Sequence, residues 1–341
     1  MVRLGDEIEK IVNQSLASIT RRKKIASREI NNIFGDINSF KSELRESVIM
    51  TPDDPNFSKV YDLYSRVFTL EQEMEPEEGL KQVLELNTEP KFGNLYGPMK
   101  EQWLVMSHPL IDKVIGASNI SMYLFDDLSS RTVGTMHETY VMVAPEYRRI
   151  GIGSLLLKRN SELLMDFWLE NEQDAPFANP NMYVFNEQND PLRMTVEEYI
   201  ADTKSSGIDQ CDRLIWWQRR NYGELEFNYV QPPLDENSDP CYFLTLNIRT
   251  NQDYVPSSLV LMHLQRFVHF SVLKGKDPME GQNFMDMKRE LEPFEHIAIL
   301  RPDYLKLKHA IHNLDVTPED CNTPIFELIR RNRIELRPFY N

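Results

Sequence analysis

Cysteine is scarce in this chain. Three cysteines, Cys211, Cys241 and Cys321, stand among 341 residues, and no two of them are spaced CxxC. A sparse, odd set excludes a disulfide scaffold and points to a reducing compartment. Long apolar runs are missing too: none approaches the ~20 residues that a bilayer span needs. The first residues, Met1 to Glu7, meet charge almost at once and lack the apolar stretch of a secretory leader. A cytoplasmic protein with no membrane partner is expected. Positive charge is also in deficit. The net charge is −15, and residues 1–46 carry nine Lys/Arg against seven Asp/Glu, so that segment is +2 and the remainder −17. An acidic body argues against nucleic acid as a partner, which calls for a basic face. It suits a cationic acceptor only weakly, because acidic surfaces commonly serve solubility.

What is present is a chain of changing period. Ile8, Ile11, Val12, Leu16 and Ile19 fall at helical spacing, interrupted by Arg21-Arg22-Lys23-Lys24, which reads as a solvated helix face. From residue 47 the pattern becomes mixed. Ser47–Met50 reads as a strand, Phe57–Phe68 and Pro76–Leu86 as helices, and Trp103–Met106, Val114–Phe125 and Thr132–Val143 as strands, the last two in an antiparallel meander. A helix from Gly153 carries Leu156, Leu157, Leu163, Leu164, Phe167 and Trp168 in one stripe. Met182–Asn186, Leu225–Val230 and Tyr242–Ile248 are the next strands; between the first two, a longer excursion through Asp190-Pro191 and Val196–Asp202 leads to a helix at Gln210–Tyr222, and beyond Pro256 the pattern is mostly helical. Three regions result: a helical extension at 1–46, a mixed α/β domain at 47–250 and a helical region at 251–341.

The informative stretch is Tyr140-Val141-Met142-Val143-Ala144-Pro145-Glu146-Tyr147-Arg148-Arg149-Ile150-Gly151-Ile152-Gly153-Ser154. An apolar strand ends in Ala-Pro, a basic pair follows, two glycines stand at i and i+2, and a leucine-rich helix begins. Backbone amides at such a helix start hydrogen-bond a pyrophosphate, helped by the helix dipole, and Arg148 and Arg149 add charge-assisted bonds. A dinucleotide fingerprint fails because its third glycine position is Leu156, and a Walker loop fails because no Gly-Lys-Ser/Thr follows. The full context resembles the coenzyme A loop of the GNAT acetyltransferases, Q/R-x-x-G-x-G/A, as Arg148-Arg149-Ile150-Gly151-Ile152-Gly153. The element order over residues 47–249 is similar to the GNAT plan, a mixed, mostly antiparallel sheet flanked by helices.

That resemblance implies acetyl-CoA as co-substrate, held by Arg148 to Ser154 and by the amides of Val141, Met142 and Val143, which also polarise the thioester oxygen. Asn186 is a further coenzyme contact, and Asn189 another unless Asn189-Asp190-Pro191 merely forms a turn. An ammonium acceptor with a pKa of ~10.4 needs a base. Glu138, on the strand ten residues before Arg148, is the candidate, with His137 in reserve. Strand alternation puts Glu138, Tyr140 and Met142 on one face and His137, Thr139 and Val141 on the other. Tyr222 is the nearest phenol for a general acid, displaced from the family's position, which is Arg219 here. His309 and His312 stand at i, i+3 without a third ligand, so no metal is expected. The leading reading is an N-acetyltransferase acting on a small-molecule or protein amine. The alternative is a non-catalytic acyl-CoA-binding or regulatory protein on the same fold. The flanks 1–46 and 256–341 are expected to shape the acceptor site or a homo-oligomer contact and to leave the coenzyme site alone.

Overall fold

Two long strand-forming runs, joined by a tight acidic turn, set up the architecture. In the turn Asp127 Oδ1 accepts the amides of Ser129 at 2.7 Å and Arg131 at 3.0 Å, which fixes the reversal between them. A computed structural model describes residues 2–15, 17, 36–69, 74–171, 181–233 and 239–334. Leu16, Ile19 and the basic run Arg21–Lys24 lie outside the described residues.

The chain opens with β1 (Val2–Arg3), α1 (residues 4–15), α2 (Ile37–Ser42), β2 (Arg45–Ile49), α3 (Phe57–Val67), α4 (Glu77–Glu85) and α5 (Pro90–Tyr96). It continues through β3 (Met99–His108), β4 (Ile111–Asp126), β5 (Thr132–Val143), α6 (Ile152–Asn171), β6 (Asn181–Asn189), α7 (Val196–Ser206) and α8 (Gln210–Gln218). Then come β7 (Tyr222–Leu225), β8 (Leu244–Arg249), β9 (Tyr254–Pro256), α9 (Ser257–Phe267) and α10 (Gln282–Leu291). The last elements are β10 (His296–Leu300), α11 (Tyr304–His312), β11 (Asp315–Val316) and α12 (Ile325–Arg331). No helix among the described residues is long and apolar enough to cross a membrane. The fold is α/β, with mostly antiparallel strands flanked by helices.

Two units divide the chain. The first unit is Ser18–Val184 with His263–Lys276. Its strands run β2-β3-β4-β5, all antiparallel, with Ile49 opposite Trp103, Trp103 opposite Asn119, and Asn119 opposite Tyr140. Helix α3 covers one face: the Tyr64 ring meets Trp103 and Tyr140 edge-on, at 6.4 and 5.0 Å between centroids. Helix α6 covers the other with Leu156, Leu164, Phe167 and Trp168, all buried. Residues 263–276 join the α3 side, where the Phe267 ring stacks on His137 and Ser271 Oγ lies 2.9 Å from Ser121 Oγ.

The second unit is Met1–Ala17, Phe185–Met262 and Asp277–Asn341. Strand β7 pairs with β8 (Tyr222 opposite Arg249) and with β10 (Leu225 opposite Ile299), and β10 also pairs with β9. A separate core gathers Leu4 and Ile8 of α1 with Tyr199, Leu214, Ile311, Ile325 and Ile329. The described helix at residues 4–15 thus buries the Leu4–Ile8 side of the stripe read from sequence. Both units are discontinuous, whereas the division at 46/47 and 250/251 is contiguous.

Several elements differ from the sequence reading: the helix read as Gln210–Tyr222 ends at Gln218, and Tyr222 opens strand β7. The region after Pro256 is not helical throughout, since His296–Leu300 forms β10; its Ile297 and Ile299 are buried at period two, a strand signal only five residues long. The run Leu225–Val230 stops being a strand at Leu225. There Phe227 N bonds Leu225 O at 2.9 Å and Tyr229 N bonds Phe227 O at 3.0 Å, three-residue turns that take the donors a ladder would need.

Candidate functional site

Strand β5 ends at Val143 and is turned out of the sheet by Pro145–Tyr147, a single 3₁₀ turn. The turn is anchored by Tyr147, whose buried ring stacks on Phe40 at 5.7 Å. Arg148 Nε donates to Val143 O at 3.2 Å, tying the basic pair back to the strand end. Arg149 then adopts φ +66° and Gly151 φ +94°, both in the left-handed region, and α6 starts at Ile152. Two reversals of backbone sign just ahead of a helix turn successive amides outward, and the first turn of a helix leaves amides without intrahelical acceptors. Gly151 and Ser154 are exposed while Ile152 is buried, so the apolar side of the loop pins it and the polar side faces solvent.

The structure adds a residue that the sequence did not suggest. A Cβ built on Gly151 would lie 3.4 Å from Lys41 Nζ of α2, so an ammonium stands over the glycine turn. Lys41, Arg148 and Arg149 therefore gather three cations around one set of outward amides. No local pattern joins residue 41 to residue 151; their segments meet where Phe40 stacks on Tyr147.

Glu138 lies on β5, 3% exposed, and its Oε1 accepts Asn160 Nδ2 of α6 at 3.0 Å. Asn160 Oδ1 in turn accepts Ser118 Oγ at 2.7 Å, and both Ser118 and Asn160 are fully buried. Asn160 had a visible signal: it is the polar residue inside the Leu156–Leu164 stripe, four positions from each.

The expected alternation along β5 is corrected by a bulge. Asn119 faces Tyr140 and Ile120 faces Glu138, so Thr139 is an extra residue in β5. Beyond it the faces exchange. Tyr140 stacks on Trp103 at 5.9 Å on the α3 side, together with His137, while Glu138 points to α6. Val141, opposite Ser118, shares the face of Glu138 instead of opposing it. Period two holds only in an unbroken ladder, and one inserted residue inverts everything after it.

His137 is fully buried; its Nδ1 lies 3.2 Å from His263 Nε2, and His263 Nδ1 lies 3.0 Å from Thr135 Oγ1. Burial, with His137 and Arg266 adding to it, holds His263 well below the usual histidine range, and its ring stacks on that of His137. In the second unit Tyr222 is 2% exposed and sits edge-on to Trp217 at 4.9 Å. Asn186 is 1% exposed and accepts Gln188 Nε2 at 3.1 Å. Asn189 Nδ2 donates to Asp202 Oδ2 at 3.0 Å, and Asp190 Oδ1 takes the amide of Leu192 at 2.8 Å, which closes the Asp-Pro turn. His312 Nε2 meets Asp209 Oδ2 at 2.8 Å.

Residues 58–183 match the profile described as the Acetyltransferase (GNAT) family. No curated protein matches the chain. Among solved structures the chain is similar to Arabidopsis thaliana Naa50 in complex with a bisubstrate analogue, at 12% identity, over 61% of this chain and 99% of that one, with a TM-score of 0.34. It is similar to Chaetomium thermophilum Naa20 in complex with a bisubstrate analogue, at 18% identity, over 61% and 85%, with a TM-score of 0.32. An aminoglycoside acetyltransferase, meta-AAC0020 from an uncultured soil metagenomic sample, in complex with sisomicin, aligns at 18% identity over 49% and 89%, with a TM-score of 0.31.

Proposed function

We propose that the chain, whose residues 58–183 match the Acetyltransferase (GNAT) family, moves an acetyl group from acetyl-CoA directly to a primary amine in a ternary complex. The observation that carries the reading is the loop between β5 and α6. Two left-handed residues, Arg149 and Gly151, lead straight into a helix start, under the ammonium of Lys41. A pyrophosphate is the ligand that such a cradle suits, since its oxygens accept several amides and its charge is matched by Arg148, Arg149 and Lys41.

In this reading the amides of Val141 to Val143 hold the pantetheine arm and stabilise the oxyanion that develops on the thioester carbonyl. Glu138 serves as the base that frees the amine, directly or through one water. A thiolate with a pKa of ~8.5 takes its proton from water without a dedicated acid. The reading therefore does not depend on Tyr222, whose ring is packed against Trp217. The acidic body of the chain is compatible with an ammonium acceptor.

Calorimetry with acetyl-CoA tests the cradle. Gly151→Val places a β-branched side chain at φ +94°, at a cost of roughly 1–2 kcal/mol in backbone strain, and fills the anion's position. Binding should be lost, while Lys41→Ala should weaken it by about five- to tenfold. Unchanged affinity in Gly151→Val removes the proposal. Release of free thiol on adding candidate amines separates a transferase from a protein that only binds acyl-CoA.

A further inference from the structure

The second unit contains a cavity of about 610 Å³ that the transfer reaction does not use. Its size falls in the usual range for small-ligand pockets. Five carboxylates line it, Asp190, Glu224, Glu226, Glu290 and Glu327, against one cation, Arg193. That cation is already committed: Arg193 Nε lies 3.2 Å from Asp190 Oδ2, and its Nη1 donates to Asn228 Oδ1 at 3.2 Å. Glu290 Oε1 accepts the amide of Asn228 at 2.9 Å, and Glu327 lies 3.6 Å from Arg331 at the surface.

Glu224 is different. It stands on β7 and lines the cavity, and among the described residues its carboxyl takes part in no hydrogen bond and no ion pair. Burial pushes its carboxyl up to about 8, with Asp190 and Glu226 adding to the rise and Arg193 opposing it. Glu224 is half-buried and open to the cavity, so its carboxyl, without a protein donor, is satisfied by whatever occupies the cavity. The remaining walls are apolar, from Leu225, Phe227 and Phe326. The described residues bring no three of their His, Cys, Asp or Glu side chains close enough to hold a metal ion, so an extended organic cation fits this spread of charge better than a metal.

We propose that this cavity binds a primary alkylammonium group, with Glu224 as its counter-ion, the exposed carboxylates of Glu226, Glu290 and Glu327 drawing it in, and Leu225, Phe227 and Phe326 packing its methylenes. Three N–H donors on the ammonium satisfy the carboxylate that the fold leaves without a donor. The site is independent of the acetyl-CoA reading, since it needs no coenzyme.

Isothermal calorimetry of the full chain at pH 7 and low salt, without acetyl-CoA, tests it. The probes are butane-1,4-diamine and Nα-acetyl-lysinamide, with butane-1,4-diol as the neutral control. At least one amine should bind and the diol should not; a preference for the diamine identifies a free small amine, and a preference for the lysinamide a lysine side chain. Glu224→Gln should weaken binding at least about tenfold, the effect of removing one partner of a partly desolvated charge pair. Glu327→Gln, a surface change that leaves folding intact, should weaken it about two- to threefold. Titrations in buffers of different ionisation heat should show a proton released as Glu224 ionises in the native protein, and none in Glu224→Gln. The proposal falls if neither amine binds more tightly than ~5 mM, if the diol binds equally well, or if both substitutions leave affinity unchanged.

Discussion

Replacing Glu101 by glutamine should make the protein more stable, and only above a definite pH. Glu101 lies on β3, 3% exposed, among uncharged hydrogen-bond partners: Asn119 Nδ2 donates to it at 2.6 Å, and the hydroxyls of Ser121 and Ser271 bond its other oxygen. Burial pushes its carboxyl up from 4.5 to about 7, although the bonds from Ser121 and Asn119 pull the other way. The folded protein therefore keeps a proton on Glu101 across an interval where the unfolded chain has lost it. Stability from this group is complete below 4.5, declines as pH rises, and is gone above about 7. A shift of that size corresponds to a difference of at most about 3 kcal/mol. The amide of Glu101→Gln would keep the neutral shape, accept from Asn119 and donate to Ser121. The variant should equal the native protein near pH 4 and gain up to about 3 kcal/mol near pH 8, which is ~2–4 °C in melting temperature for each kcal/mol. Urea unfolding followed by circular dichroism, from pH 4 to 8.5, reads this directly. Glu224 and other perturbed groups titrate in both proteins alike, so their difference isolates Glu101. A difference that stays flat with pH, or a native protein that is the more stable at pH 8, refutes the reasoning.

Two other outcomes are expected, besides those for the Gly151 loop and the Glu224 cavity. Glu138→Gln retains an oxygen for Asn160, so it should fold and bind acetyl-CoA normally, yet turn over about 10²–10⁴-fold more slowly in steady-state kinetics if the carboxylate is the base; full activity across pH would assign Glu138 to holding α6. A chain ending at residue 250 loses His263, Phe267 and Ser271 from the first unit, so it should lose cooperative unfolding and acetyl-CoA binding together, and a truncated protein with a native melting transition would contradict the packing described.

The turn from Arg148 to Ser154 was legible because its information is local: a proline, a basic pair and two glycines within ten residues define the backbone path. The strands β4 and β5 were legible for the same reason, each being long and bounded by turn residues. What escaped depends on partners distant in the chain. The bulge at Thr139 exists only as a count against β4, so no pattern within β5 announces that Tyr140 and Glu138 face opposite sides. Lys41 reaches Gly151 where Phe40 stacks on Tyr147, a contact spanning more than a hundred residues. Residues 263–276 read as part of a helical tail, because periodicity reveals that a face is buried and not what buries it. Asn160 could have been flagged, since a polar residue inside a leucine stripe needs a buried partner.

The interleaving of the two units bears on how the chain is made. During synthesis the strands β2 to β5 emerge early together with α3, but the part of the α3 face around His137 lacks Phe267 until His263–Lys276 has left the ribosome. The second unit waits longer still, since Leu4 and Ile8 at the start are buried with Ile325 and Ile329 near the end, and Val2 pairs with Val316. Neither unit can finish before the other has largely been translated, so one-domain-at-a-time folding is closed to this chain. Its folding rate should be governed by long-range closure, and nascent chains stalled between residues 184 and 263 should expose apolar sheet surface to chaperones.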